Sequence, residues 1–80
     1  MNIEKGCIVI VKAGKEKGRP FVVVDATDQR FVLIADGKKR KLSAPKKKNI
    51  IHLRPTGKNI GEITTDRKLR EFLSDAILGG

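Results

Sequence analysis

The chain has no tryptophan and no tyrosine, and its only aromatic residues are Phe21, Phe31 and Phe72. Proteins that read single strands stack bases on exposed aromatic rings. Phe21 and Phe31 begin apolar runs and Phe72 falls on a helical stripe, so core packing accounts for all three. The single cysteine, Cys7, excludes an intramolecular disulfide framework and suits a reducing cytosol. It lies in an apolar run and is expected to be a packed thiol. The single histidine, His52, has no partner in sequence with which to form a nucleophile–base or metal-ligand set. Neither zinc nor calcium-loop spacing occurs, and no cofactor is expected. Long hydrophobic runs are missing too: none is longer than Cys7–Val11, which is far short of a membrane span. The opening MNIEKG has no basic stretch leading into an apolar one, so no signal peptide is expected. A cytoplasmic, non-enzymatic protein without a small-molecule substrate is the expectation.

Acids are scarce relative to bases. Asp and Glu number 9 against 18 Lys and Arg, for a formal net charge of +9. Residues 38–48, KKRKLSAPKKK, hold seven of those bases and no acid. A block of like charges repels itself unless a polyanion lies nearby, and a basic chain points to an anionic partner without specifying a fold. Nucleic acid is the first candidate for that partner and an anionic membrane surface the second. The bland alternative is a solvated loop or the lysine protection of a sheet edge.

Eighty residues allow one domain with a modest core. Four short runs rich in β-branched residues read as strands: Cys7–Val11, Phe21–Val24, Phe31–Ala35 and Ile50–Leu53. Turn chemistry separates them, with AGKEKG at 13–18, ATDQR at 26–30, and Asp36-Gly37 as a hairpin dipeptide of the primed-turn kind. Asp25, Asp28 and Asp36 are placed to cap these turns. The strands are apolar on both faces, so one face needs a cover. Leu69, Phe72, Leu73, Ala76 and Ile77 recur at helical spacing and supply it. Thr65 or Asp66 is the expected N-cap and Gly79 the expected stop. The expected fold is mainly β: a small barrel of four to five antiparallel strands with a short C-terminal α-helix. Residues 1–56 form the barrel; residues 57–80 form a linker, with Gly57 and Gly61, and an amphipathic helix packed on the barrel. Val9 and Val11 are expected to point inward.

The turn AGKEKG lacks the GxxxxGK[ST] spacing of a nucleotide-binding loop and leads into a strand, so its glycines, Gly14 and Gly18, serve a tight turn. Its flanks carry Lys12, Lys15, Lys17 and Arg19 against Glu16 alone. With Lys38, Lys39, Arg40, Lys41, Lys46, Lys47, Lys48 and His52 they form the candidate RNA-binding set. The 38–48 run lies between two predicted strands, which makes it a tethered loop with less to lose on ordering than a free tail. Few aromatics and many bases favour phosphate contact and shape recognition of structured RNA over base readout. Duplex DNA shares the charge argument. A protein-interaction module of a translation or transcription assembly is the alternative.

The span IVIVKAGKEKGRPFVVVD, residues 8–25, resembles a KOW motif: strand, basic glycine turn, strand, with Gly18 at its characteristic glycine. More closely, VKAGKEKG at Val11–Gly18, VVD at Val23–Asp25, RFVLI at Arg30–Ile34, and Lys46–Lys48 followed by NIIHLRPT at Asn49–Thr56 resemble the "fourteen-e" family of archaeal and eukaryotic large-subunit ribosomal proteins. That resemblance implies an SH3-like barrel and ribosomal RNA as partner, with other ribosomal proteins beside it. It implies contacts at Lys15, Lys17, Arg19 and Lys46–Lys48, with His52 nearby. Arg54 stands where that family commonly has an acid, and the segment Asp36–Lys48 is richer in lysine than the family's loop.

Overall fold

The computed structural model describes the backbone of residues 3–62 and 65–78, and side chains as far as Ser74. Five strands form one antiparallel sheet: β1 Cys7–Val11, β2 Pro20–Ala26, β3 Phe31–Ala35, β4 Lys46–Asn49 and β5 Leu53–Asn59, in the spatial order β4-β3-β2-β1-β5. A 3-10 turn, Ile50–His52, joins β4 to β5, and one helix, α1 Asp66–Leu78, follows. The edges β4 and β5 are not paired to each other, so the sheet curls into a small SH3-like fold without closing.

The both-faces pattern of the strands has the expected consequence. On one face Cys7, Val9, Val11, Phe21, Val23, Val32, Ile34 and Leu53 form a buried core, so Val9 and Val11 do point inward. On the other face Ile8, Val22 and Ala35 meet Leu69 and Leu73 of α1. The parity is strict because strand side chains alternate with period two. Phe72 departs from the helical expectation: it is 42% exposed and belongs to neither core. A helix touching a sheet along one line seats Leu69 and Leu73, four residues apart, and leaves Phe72 on the flank. The side chains of Ala76 and Ile77, and Gly79 as a stop, lie outside the described residues.

Three local expectations are corrected. The apolar IIHL is not a strand. The Asn49 side chain accepts from Ile51 N at 3.1 Å and turns the chain into the 3-10 turn, so β5 starts only at Leu53 and runs through Pro55 and Gly57. Pro55 is tolerated because β5 is an edge. Gly57, with φ +83°, lies where β5 bulges between the pairs Cys7–Asn59 and Val9–Pro55. Asp36-Gly37 does not form a two-residue hairpin turn. Asp36 N and Gly37 N both donate to Arg40 O, opening a wider loop that reaches β4 only at Lys46. Finally, Lys46–Lys48 are not loop residues: they form β4, paired with Val32, Leu33 and Ile34.

The turn acids behave as caps. Asp28 Oδ1 accepts from Arg30 N at 2.7 Å and Phe31 N at 3.0 Å, and these bonds hold its carboxyl below the usual range. Asp36 Oδ1 accepts from Lys38 N and Arg40 N. Thr65 is the N-cap of α1: its Oγ1 accepts from Lys68 N at 3.1 Å. Thr65→Ala is expected to cost about 1 kcal/mol and Thr65→Ser much less, read as urea midpoints; equal midpoints for Ala and wild type would show that the cap contributes nothing.

A basic cleft and the family it belongs to

The β1–β2 turn is closed by Gly18 N donating to Val11 O at 2.8 Å and Val11 N donating to Arg19 O at 3.1 Å. Gly14 and Gly18 have φ of +89° and +85°, the left-handed region that the turn requires and glycine adopts without strain. The turn projects Glu16 toward the far edge of the sheet. There Glu16 Oε1 receives Lys46 Nζ at 2.9 Å, and Glu16 Oε2 lies 3.9 Å from Arg40 Nε. The second contact is Coulombic, too long for a hydrogen bond, and Arg40 Nε is buried without a hydrogen-bond partner. The Glu16 side chain is only 15% exposed, which lowers the screening of both interactions.

Glu16 thereby joins two basic segments far apart in sequence. Lys15 and Arg19 from the turn, Lys39 and Arg40 from the 36–45 loop, and Lys46 and Lys48 from β4 line one cleft of about 500 Å³. Six cations face one carboxylate there. Strand parity selects Lys46 and Lys48, which pair with the core residues Ile34 and Val32 and share their face. Lys47 points the other way, with its Nζ 4.8 Å from the centre of the Phe31 ring.

The other candidates lie outside this cleft. Lys38 lines two neighbouring clefts. Lys12, Lys17 and Lys41 are exposed elsewhere on the surface. His52 is exposed in the 3-10 turn, where its carbonyl oxygen accepts from Lys12 N at 2.8 Å. Among the described residues no three His, Cys, Asp or Glu side chains come together as a metal cluster would require. Cys7 is buried, and burial pushes its thiol up, which makes it a poor nucleophile. Reasoning from sequence missed two things. It counted Glu16 only as an opposing charge, whereas Glu16 organises the cleft. It also left Arg67 and Arg70 of α1 unassigned, although both line a cleft with Lys38 of the 36–45 loop.

Known proteins are similar to this chain over most of its length. No family model matches the chain. It is 32% identical over 76 residues to large ribosomal subunit protein eL14 of Sulfolobus acidocaldarius, covering 92% of this chain and 79% of that protein. The protein of the same name in Saccharolobus islandicus is 34% identical over the same coverage. The chain belongs to the eL14 family. A third eL14, from Desulfurococcus amylolyticus, is 43% identical over 58 residues, 72% of this chain. Of that relative's own length the match spans 60%. Membership in the eL14 family accords with the mainly β, SH3-like architecture and with the strand–glycine turn–strand unit at Cys7–Ala26.

Proposed function

We propose that this eL14-family protein is a non-catalytic binder of structured RNA, acting in the cytoplasm on ribosomal RNA of the large subunit. The observation that carries the reading is the cleft: six cations from three segments line it together with a single carboxylate, which meets Lys46 and Arg40, leaving a net of five positive charges. Relatives named as large ribosomal subunit proteins support the ribosomal setting.

The chemistry is that of phosphate neutralisation. Lysine and arginine heads displace condensed counterions, and their positions, fixed by β4 and the glycine turn, set orientation without reading bases. Glu16 keeps Lys46 and Arg40 from splaying into solvent, so the cleft meets the RNA largely preorganised. No aromatic lines the cleft, which favours folded RNA over unstacked bases.

With about five phosphates neutralised in this cleft alone, the logarithm of the affinity for protein-free large-subunit ribosomal RNA is expected to fall with the logarithm of salt at a slope no shallower than roughly −3.5 to −4.5. Filter binding across a salt series measures it, and a flat dependence would sink the reading. Duplex DNA of matched length is the competitor: it should displace the RNA poorly, since the register of phosphates differs.

A further inference from the structure

The cleft does not end at Arg19 and Lys39. Both residues also line a second cleft of about 330 Å³, on the helix side, with Lys38 and Arg70. Lys38 and Arg70 in turn line a third, of about 660 Å³, with Arg67. The three depressions therefore form one continuous surface from the glycine turn to the first turns of α1. Among the described residues two acids line the added portion. Asp36 spends its carboxylate on the N–H groups of Lys38 and Arg40, and Glu71 faces Arg67 at 3.8 Å.

Three ties fix the helix against the loop. Arg70 Nη1 donates to Gly37 O at 2.7 Å, Leu42 N donates to Asp66 Oδ1 at 2.8 Å, and Gly37 backs directly onto the Asp66 carbonyl. Arg70 uses one of its five N–H donors in this bond and keeps the rest. Lys38 and the two arginines thus share one surface, set by contacts between helix side chains and the loop backbone.

We propose that α1 is part of the RNA-binding surface: Lys38, Arg67 and Arg70 take phosphates of the same RNA, beyond those held in the first cleft. The inference rests on the RNA-binding reading above. A linear polyanion suits a surface of this kind because its phosphates recur along the chain, so successive groups fall to successive cations. The helix is then more than a lid over the Ile8–Val22–Ala35 face: one side of it covers the sheet and the flank meets the partner.

The test is the double variant Lys38→Gln/Arg67→Gln, which leaves the Arg70 tie to Gly37 intact. Its control is Lys5→Gln/Lys58→Gln, which removes the same net charge from exposed residues that line none of the three clefts. Binding to protein-free large-subunit ribosomal RNA is measured across a salt series, with melting temperatures alongside. The helix-side variant is expected to bind on the order of tenfold more weakly near physiological salt, with a slope shallower by about 1.5 and an unchanged melting temperature. The control should move much less. Equal behaviour of the two variants, or a helix-side variant like wild type, overturns the inference while leaving the first cleft as the RNA site. A wild-type chain that binds no RNA overturns both.

Discussion

Replacing Lys15, Arg19 and Lys48 together by glutamine is expected to weaken binding to folded ribosomal RNA on the order of 100-fold near physiological salt. The salt slope should become shallower by about 2 to 3. The three residues come from the turn and from β4, so they sample both walls of the cleft. Among the described residues none of them takes part in an ion pair, whereas Lys46 and Arg40 are engaged with Glu16. Glutamine keeps most of the side-chain stem, so the fold should survive, with a melting temperature close to wild type. The informative comparison is Lys12→Gln/Lys17→Gln/Lys41→Gln. It removes the same charge from exposed positions outside the cleft. A similar loss in both triple variants would mean that net charge alone attracts the RNA, and that the gathering of cations around Glu16 is incidental.

The largest stability effect is expected at Gly37. Its φ is +79°, and a Cβ added there would strike the Asp66 carbonyl oxygen, with Arg70 Cγ at 3.1 Å. Alanine would thus meet the left-handed backbone penalty of about 1–2 kcal/mol and a backbone overlap costing a similar amount. A total near 3 kcal/mol is a large share of the roughly 4–12 kcal/mol available to a chain of this size. Thermal unfolding should show a drop of more than about 10 °C for Gly37→Ala. Gly14→Ala is the matched reference: φ there is +89°, but nothing lies within 4 Å of the added Cβ, so only the backbone term of about 1–2 kcal/mol applies. Comparable losses at the two glycines would show that the packing of α1 onto the loop contributes little.

The parts of this molecule that could be read from its sequence are those governed by short periodicity. Cys7–Val11 and Phe31–Ala35 have the bounds their apolar runs suggest, and Leu69 and Leu73 bury the face that needed a cover. What stayed hidden depends on contacts between distant segments. Nothing local in Lys46-Lys47-Lys48 favours a strand; it becomes one because β3 offers a free edge and Asn49 then turns the chain. Once the triplet is a strand, alternation divides it, sending Lys46 and Lys48 to the cleft and Lys47 to the ring of Phe31. The site showed the same limit. Both basic segments were visible as charge, but their union rests on one carboxylate, Glu16, bonded to Lys46, 30 residues away, and facing Arg40. The flank role of Phe72 and the ties of Asp66 and Arg70 to the loop likewise need the third dimension.

Gathering six cations around Glu16 also sets terms for the chain on its own. Unfolded, these charges are spread along the backbone and screened; folded, they are pressed together with one carboxylate between them. A polyanion that binds the folded form and not the unfolded one raises stability by mass action. If RNA is that polyanion, folding and binding would draw on one equilibrium, and the chain without RNA would be open more of the time. Open chains are the ones that cellular proteases remove. On the proposed function, the crowding around Glu16 would make the RNA-bound form more stable than the free one, a difference that melting temperatures with and without RNA would read.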